Sequence, residues 1–500
     1  PFDIFCEEIL PYRVGKEALE NWREKALASF ADLNKSFRED STVTAVEACS
    51  RVNALLPQFR LDNDFPSMNY SQLMASARGP CEAMSALAIF SMRALGIPVT
   101  FDYTLQWPRS KIGHSWNAVC DSSGRHVSFM GTQSNPGQPH QGTVYTKSKA
   151  YRKMFARQNH IQTEEANIPP TLKNPYMKDI SHEHARCADM VVPVRFPAAV
   201  PTSYAYLATL IGVGEMVRWN PVAWGKVENR HIHYASVGKK LLYLPVYYAD
   251  HRQTPAGFPF YPDTAGNIRY FEPDSSYKEI ILYERGIYYN HMMRDRMIRG
   301  RFETADRRDF SDAKILHVIT ALTRSFNEFR PEHPVACRYV RYVPPPRSLC
   351  NVAEIEFYNA DGKVLKGTPI GTSGSYNYGM MTFDKAFDGN TSTFYDALSD
   401  DSWTGMDFGK RTAIGKIRYH PRKNVMSIES GQTYELLYWN GAKWQSLGKK
   451  TAEDACLSFR MPGNALFYMQ TVGEPIGNAS IFVMEDDMQK WVFQDIVDYL

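Results

Sequence analysis

The chain has 500 residues, 44% hydrophobic and 22% charged, with a formal net charge of +3. At roughly 100–200 residues per domain, this length suits about three domains of ordinary globular composition. So small a charge gives no electrostatic case for nucleic acid or an anionic membrane surface, and no stretch reaches the roughly 18 uninterrupted apolar residues of a membrane span.

In chain order, Gly15 to Phe30 sets Leu19, Trp22, Ala26 and Phe30 at helical spacing, and Thr42 to Leu56 repeats the pattern. Met68 to Arg78 leads into Gly79-Pro80-Cys81, where the chain breaks and a helix begins with a cysteine in its first turn. Unpaired amides and the positive dipole end at that position favour a thiolate. The helix from Ala83 to Ala94 is apolar nearly all round, so it is expected to be buried and to hold Cys81 rigidly; Gly96 ends it and Pro98 prevents its continuation. Val99 to Leu105 and Ser115 to Cys120 read as strands, with His114 opening the second. A cysteine on a helix N-terminus and a histidine on a facing strand suit an activated thiol nucleophile. The backbone N–H of Cys81 is the candidate oxyanion donor.

These residues resemble the transglutaminase-like superfamily, which shares a papain-like core. The resemblance rests on Cys81, on Arg93-Ala94-Leu95-Gly96-Ile97-Pro98 and on His114-Ser115-Trp116, in the family's order. It implies Cys81 as nucleophile and His114 as general base. The family's third residue, usually Asp, is expected after a short hairpin, and there this chain has Met130, which cannot accept the imidazole N–H. Asn135, in the loop Gly131 to His140, is a candidate replacement, because papain-like enzymes can orient the histidine with an Asn; Asn117 and Asp102 are rivals.

Tyr145 to Asn159 is basic and helix-compatible, and Ile168-Pro169-Pro170 reads as a linker. His182-Glu183-His184 and His231-Ile232-His233 each place two imidazoles at i, i+2, but neither pair has a third ligand at good spacing. The eight cysteines (6, 49, 81, 120, 187, 337, 350 and 456) include no CxxC pair, which argues against a structural zinc site or redox motif. From Met190 the chain turns to short strands: Met190–Phe196, Tyr204–Ile211, Arg230–Ser236 and Lys240–Tyr247, closing near Lys278 to Tyr283. That spacing predicts an antiparallel β-sandwich.

Further on, the blocks Arg338–Tyr342, Ala353–Tyr358, Ala386–Tyr395, Trp403–Gly409 and Ile414–Tyr419 resemble the discoidin (F5/8 type C) jelly roll. That resemblance implies binding of sugars or anionic surfaces, and often calcium near the Asp388-Gly389-Asn390 turn. Asp388 and Asn390 offer hard oxygen ligands, although the same three residues also suit a plain tight turn. Tyr376, Tyr378, Tyr395, Trp439 and Trp444 are candidates for stacking on sugar rings, with sandwich core as the alternative.

The expected architecture is multidomain α+β. A papain-like, transglutaminase-like core at 1–182 is followed by a β-sandwich at 183–290 and a discoidin-like jelly-roll region at 291–500. The last region is either one domain or a partial sandwich at 291–360 plus a fuller one at 361–500. The pairing is similar to that in secreted proteins of glycan-degrading gut bacteria and, more distantly, in peptide:N-glycanases. It implies a cysteine hydrolase of amide bonds whose partner is a glycan or glycopeptide, with no nucleic acid and no membrane span. A monomer is expected, with no required cofactor beyond a structural calcium, in an extracytoplasmic location in keeping with a start at Pro1 that reads as processed. The alternative is a catalytically degenerate core in a glycan-binding protein.

Overall fold

The computed structural model describes residues 1–500 except 64, 109–111, 159–166, 185, 200–201, 213–216, 287–294, 323–325, 347, 377–378, 392, 423–425, 454–455, 474–479 and 493–500. The chain divides into two compact units. One comprises Pro1–Leu282 with Gly431–Thr451 and Leu457–Leu500; the other comprises Tyr283–Ser430 with Ala452–Cys456.

After short helical segments at Phe2–Ile4 and Phe5–Ile9, the first unit has helices Trp22–Ser29, Ala31–Glu39, Ala45–Leu55, Tyr70–Ser76 and Cys81–Ala94. Their starts are set locally. Thr44 accepts from the Glu47 amide, and Asn69 and Gln72 form a reciprocal capping box. The Cys81–Ala94 helix is buried from Met84 to Arg93 except at Ala86, and Gly96 ends it at φ +74°, a conformation that favours glycine. Arg93 turns its guanidinium inward and donates to the Val99 carbonyl at 2.9 Å, tying the helix end to the next strand. The helix packs on an antiparallel sheet with strand order 126–129, 114–120, 99–104, 151–153, 177–179. Trp22, Leu87, Phe90, Val99, Val119 and Phe129 form the shared core.

The basic stretch after Tyr145 is not a helix. Residues Tyr151–Lys153 form a sheet strand, with Arg152 opposite Asp102 in the ladder. The reason is electrostatic: buried Asp102 takes the Arg152 guanidinium through both oxygens, at 2.8 and 2.9 Å, and Thr100 Oγ1 also donates to it. Lys147 and Lys149 are buried beside this strand, as is Arg152, whereas Lys153 and Arg157 of the same basic stretch are exposed.

An eight-stranded antiparallel sheet follows, with the strands at 204–212 and 217–228 in its middle. Tyr204–Gly212 is apolar on both faces. Tyr206, Ala208 and Leu210 join one core, and Ala205 and Leu207 another. The first of those cores also contains Trp439, Tyr468 and Val483 from a C-terminal five-stranded sheet, making a sandwich of the two. The strand Tyr277–Leu282 does not close the eight-stranded sheet as the spacing suggested, because its backbone partners are Leu457–Pro462.

The second unit is a sandwich of two five-stranded antiparallel sheets. One orders 314–318, 301–305, 335–343, 404–414 and 368–371. The other contains 327–329, 416–421, 350–358, 364–365 and 395–396. Phe302, Val340, Tyr342, Ile355, Phe357, Tyr395 and Ile417 fill the space between them. Residues before and after position 360 therefore share one sandwich, and all five discoidin-like blocks lie within it.

Candidate active site

The first turn of a helix leaves its amides without intrahelical acceptors, and Cys81 and Glu82 occupy that turn. Close packing brings the turn to the sheet. At Gly131 an added Cβ would lie 2.6 Å from Ala88 Cβ and 3.0 Å from the Met84 carbonyl. Ser85 Oγ meets Ser115 Oγ at 3.2 Å, and Asn117 Nδ2 donates to the Ser85 carbonyl at 3.2 Å. Ser115 and Asn117 thus face the helix. Ser115 stabilises the Cys81 thiolate form through its backbone and side chain, which places the sulfur at the start of the strand Ser115 shares with His114.

The expectation of a thiolate at the helix start does not survive the surroundings. Burial, reinforced by the Glu82 carboxylate, pushes the Cys81 thiol up to about 11. Cys81 Sγ donates to Glu82 Oε2 at 3.3 Å. Burial holds His114 down to about 4, with Glu82 pulling upward and Lys147 pushing downward. At neutral pH the resting pair is a thiol and a neutral imidazole, and the Glu82 charge acts on both.

His114 alternates away from Ser115, as strand geometry requires. Its ring stacks between Trp107 at 5.4 Å and Trp116 at 6.2 Å, and its Nε2 is buried without a hydrogen-bond partner. Trp116 in turn meets His184 edge-on at 5.9 Å and lies 5.6 Å beneath the Lys147 ammonium. Among the described residues no hydrogen bond joins Cys81 to His114. Sequence reasoning named Cys81 and His114 but missed Glu82, Trp107 and Lys147. Glu82 was visible as the neighbour of Cys81; the other two carry no local signal.

The candidates for the missing acidic residue are otherwise engaged. Asn135 Oδ1 accepts from Asn53 Nδ2 at 3.1 Å. Asn117 is held by the Ser85 and Thr100 carbonyls and the Gly131 amide, and Asp102 by Arg152. Met130 packs into the apolar core. His184 follows a short turn, Ser181–Glu183, so it does not share a strand face with His182. His231 and His233 do share an exposed face of one strand.

In the second unit, Asp388 is occupied by Thr393 Oγ1 at 2.9 Å from each oxygen and by the Asn390 amide at 3.0 Å, the pattern of a closed turn. Of the aromatic candidates, Tyr395 of this unit is buried, as is Trp439 of the first unit, where Trp444 packs edge-on against Tyr468. Tyr376 is exposed, and Tyr378 lies outside the described residues.

The model of the transglutaminase-like superfamily matches residues 32–130, which include Cys81 and His114. The F5/8 type C domain model matches residues 369–461; the match starts within the sandwich of the second unit and runs past its last strand. Among solved structures the chain is similar to red sea bream transglutaminase at 9% identity, with a TM-score of 0.19, over 94% of this chain and 74% of that one. No curated protein sequence matches. Residues 32–130 are a transglutaminase-like domain, carried on one chain with an F5/8 type C domain at 369–461.

Proposed function

We propose that the protein is a cysteine-dependent amidohydrolase acting on a peptide, glycopeptide or peptidoglycan-like amide, with a carbohydrate-binding C-terminal region and an extracytoplasmic location. One observation carries the reading. The buried ring of His114, with Nε2 unpartnered, stacks on Trp107 and Trp116 beside Ser115, the strand residue that Cys81 meets, and Glu82 acts electrostatically on both groups. A neutral imidazole with a free nitrogen can accept a proton, and the Glu82 carboxylate offsets part of the opposition that burial sets up.

In this scheme the Cys81 sulfur attacks the carbonyl carbon as its proton passes to His114. The amides of the first helical turn receive the developing oxyanion. His114 then gives the proton to the departing amine as the C–N bond breaks, and water hydrolyses the thioester. Because the thiol is not ionised at rest, deprotonation and attack belong to the same step.

Amine release from glycopeptide and peptidoglycan amides tests the scheme. It should vanish in Cys81→Ala and fall about 10²–10⁴-fold in His114→Ala. Release that is indifferent to both changes would sink it. A second reading, a catalytically silent core in a glycan-binding protein, is favoured by Met130 at the family's acidic position and by the raised thiol. Glycan binding by the full chain with no turnover on any amide would establish that reading instead.

A further inference from the structure

At the opposite end of the His114–Cys120 strand, Cys120 pairs directly across the ladder with His126, so both side chains emerge on one face. Glu8, from the short helical turn Phe5–Ile9, covers them. One ligand atom from each of Glu8, Cys120 and His126 lies within 4.8 Å of the others. His126 Nε2 meets Glu8 Oε1 at 2.7 Å, but Glu8 Oε2 has no partner although Glu8 is only 5% exposed. A buried carboxylate oxygen with nothing to accept is costly, and a hydrogen bond from one imidazole to the other oxygen leaves that cost standing.

We propose that Glu8, Cys120 and His126 form a zinc site that fastens the N-terminal turn to the Cys120–His126 hairpin. Thiolate, imidazole and carboxylate together are a zinc donor set, with water completing the tetrahedron. Ligand atoms about 2.0–2.3 Å from the metal stand roughly 3.3–3.8 Å from one another. The Glu8–His126 contact therefore opens slightly and the cysteine closes in. Binding takes the proton from Cys120 and releases it to solvent. The two anionic ligands then balance the dication. The site is independent of amide chemistry at Cys81. Spacing conceals it because one ligand is far away in sequence and the other two are separated by a turn rather than arranged as CxxC.

The test uses the full chain stripped with chelator and titrated with Co²⁺ alone. Expected are one equivalent bound, a thiolate-to-cobalt charge-transfer band, and displacement by Zn²⁺. The band should persist in Cys81→Ala and disappear in Cys120→Ser, and affinity should fall at least about tenfold in His126→Gln. Absence of a thiolate band in the wild type, or its survival in Cys120→Ser, overturns the site. Circular dichroism accompanies each variant. If Cys120→Ser does not fold, Glu8→Gln decides: unchanged Co²⁺ affinity overturns the proposal, and at least an about tenfold loss supports it.

Discussion

The Cys81 thiol donates to the carboxylate of its own neighbour, Glu82, rather than to His114. A negative charge beside a thiol disfavours the thiolate, so this contact works with burial to keep Cys81 protonated. Glu82→Gln should therefore lower the apparent pKa of Cys81. Iodoacetamide alkylation near pH 8 should quicken about three- to tenfold, each pKa unit being tenfold in thiolate. The same change removes the charge that supports protonated His114. Faster alkylation with slower turnover is the expected split. An unchanged alkylation profile would show that Glu82 has no hold on the thiol.

Acid should unfold the first unit early. Burial holds His114 and His140 down to about 4 and His184 to about 3, all from an ordinary 6.5. Lys147 opposes protonation of each, while Glu82 supports protonated His114 and Asp102 supports protonated His140 and His184. Groups with depressed folded pKa values contribute stability that is complete above the unfolded value and is lost as pH falls through the folded one. The window is thus pH 6.5 down to about 4 for His114 and His140 and down to about 3 for His184. Three such imidazoles set an upper slope of about 4 kcal/mol per pH unit. Denaturant titrations at pH 7, 6 and 5 measure it, and a flat profile over that range would contradict the burial of these rings.

The buried pair Asp102 and Arg152 makes a different demand. Asp102→Asn leaves a buried guanidinium with Glu183 as its remaining carboxylate, at 3.0 Å, and should cost about 3–5 kcal/mol. Replacing both residues by apolar ones of similar volume should recover much of that loss. Urea midpoints for the single and double variants check it, and additive losses would show that the two residues do not act as a pair.

How far the sequence disclosed this arrangement depended on range. The Cys81 helix and the His114 strand are written in local signals: Pro80 and Gly96 as boundaries and an apolar run between. Arg152 was misread because its partner, Asp102, lies on another strand, and a basic stretch reads as solvated until the buried carboxylate is known. The strand Val217–Glu228 escaped notice because Pro221 interrupts it, at a bulge where the ladder shifts register. That Trp439 and Tyr468 cover a sheet formed by residues near 206 and 244 is a long-range fact with no local trace. Within the site, pattern gave the nucleophile and the histidine, whereas the raised thiol and lowered imidazole come from burial, which a motif does not report.

The last prediction concerns Glu354 in the second unit. It is almost fully buried, and its Oε2 accepts from the Gly389 amide at 2.9 Å. Burial pushes its carboxyl up to about 7 from 4.5; the Gly389 amide resists this, while Asp388 and Glu356 add to it. Here the sign is opposite to that of the histidines. The folded state keeps a proton that the unfolded chain gives up, so the contribution is full below pH 4.5 and is lost as pH rises through about 7. Glu354→Gln stays neutral and retains an oxygen for the Gly389 amide. It should raise the melting temperature of the sandwich by a few degrees at pH 8 and leave it unchanged near pH 4.5. Calorimetry at the two pH values decides: an equal shift at both would assign the effect to packing, and no shift at pH 8 would mean that the carboxylate is solvated as it ionises.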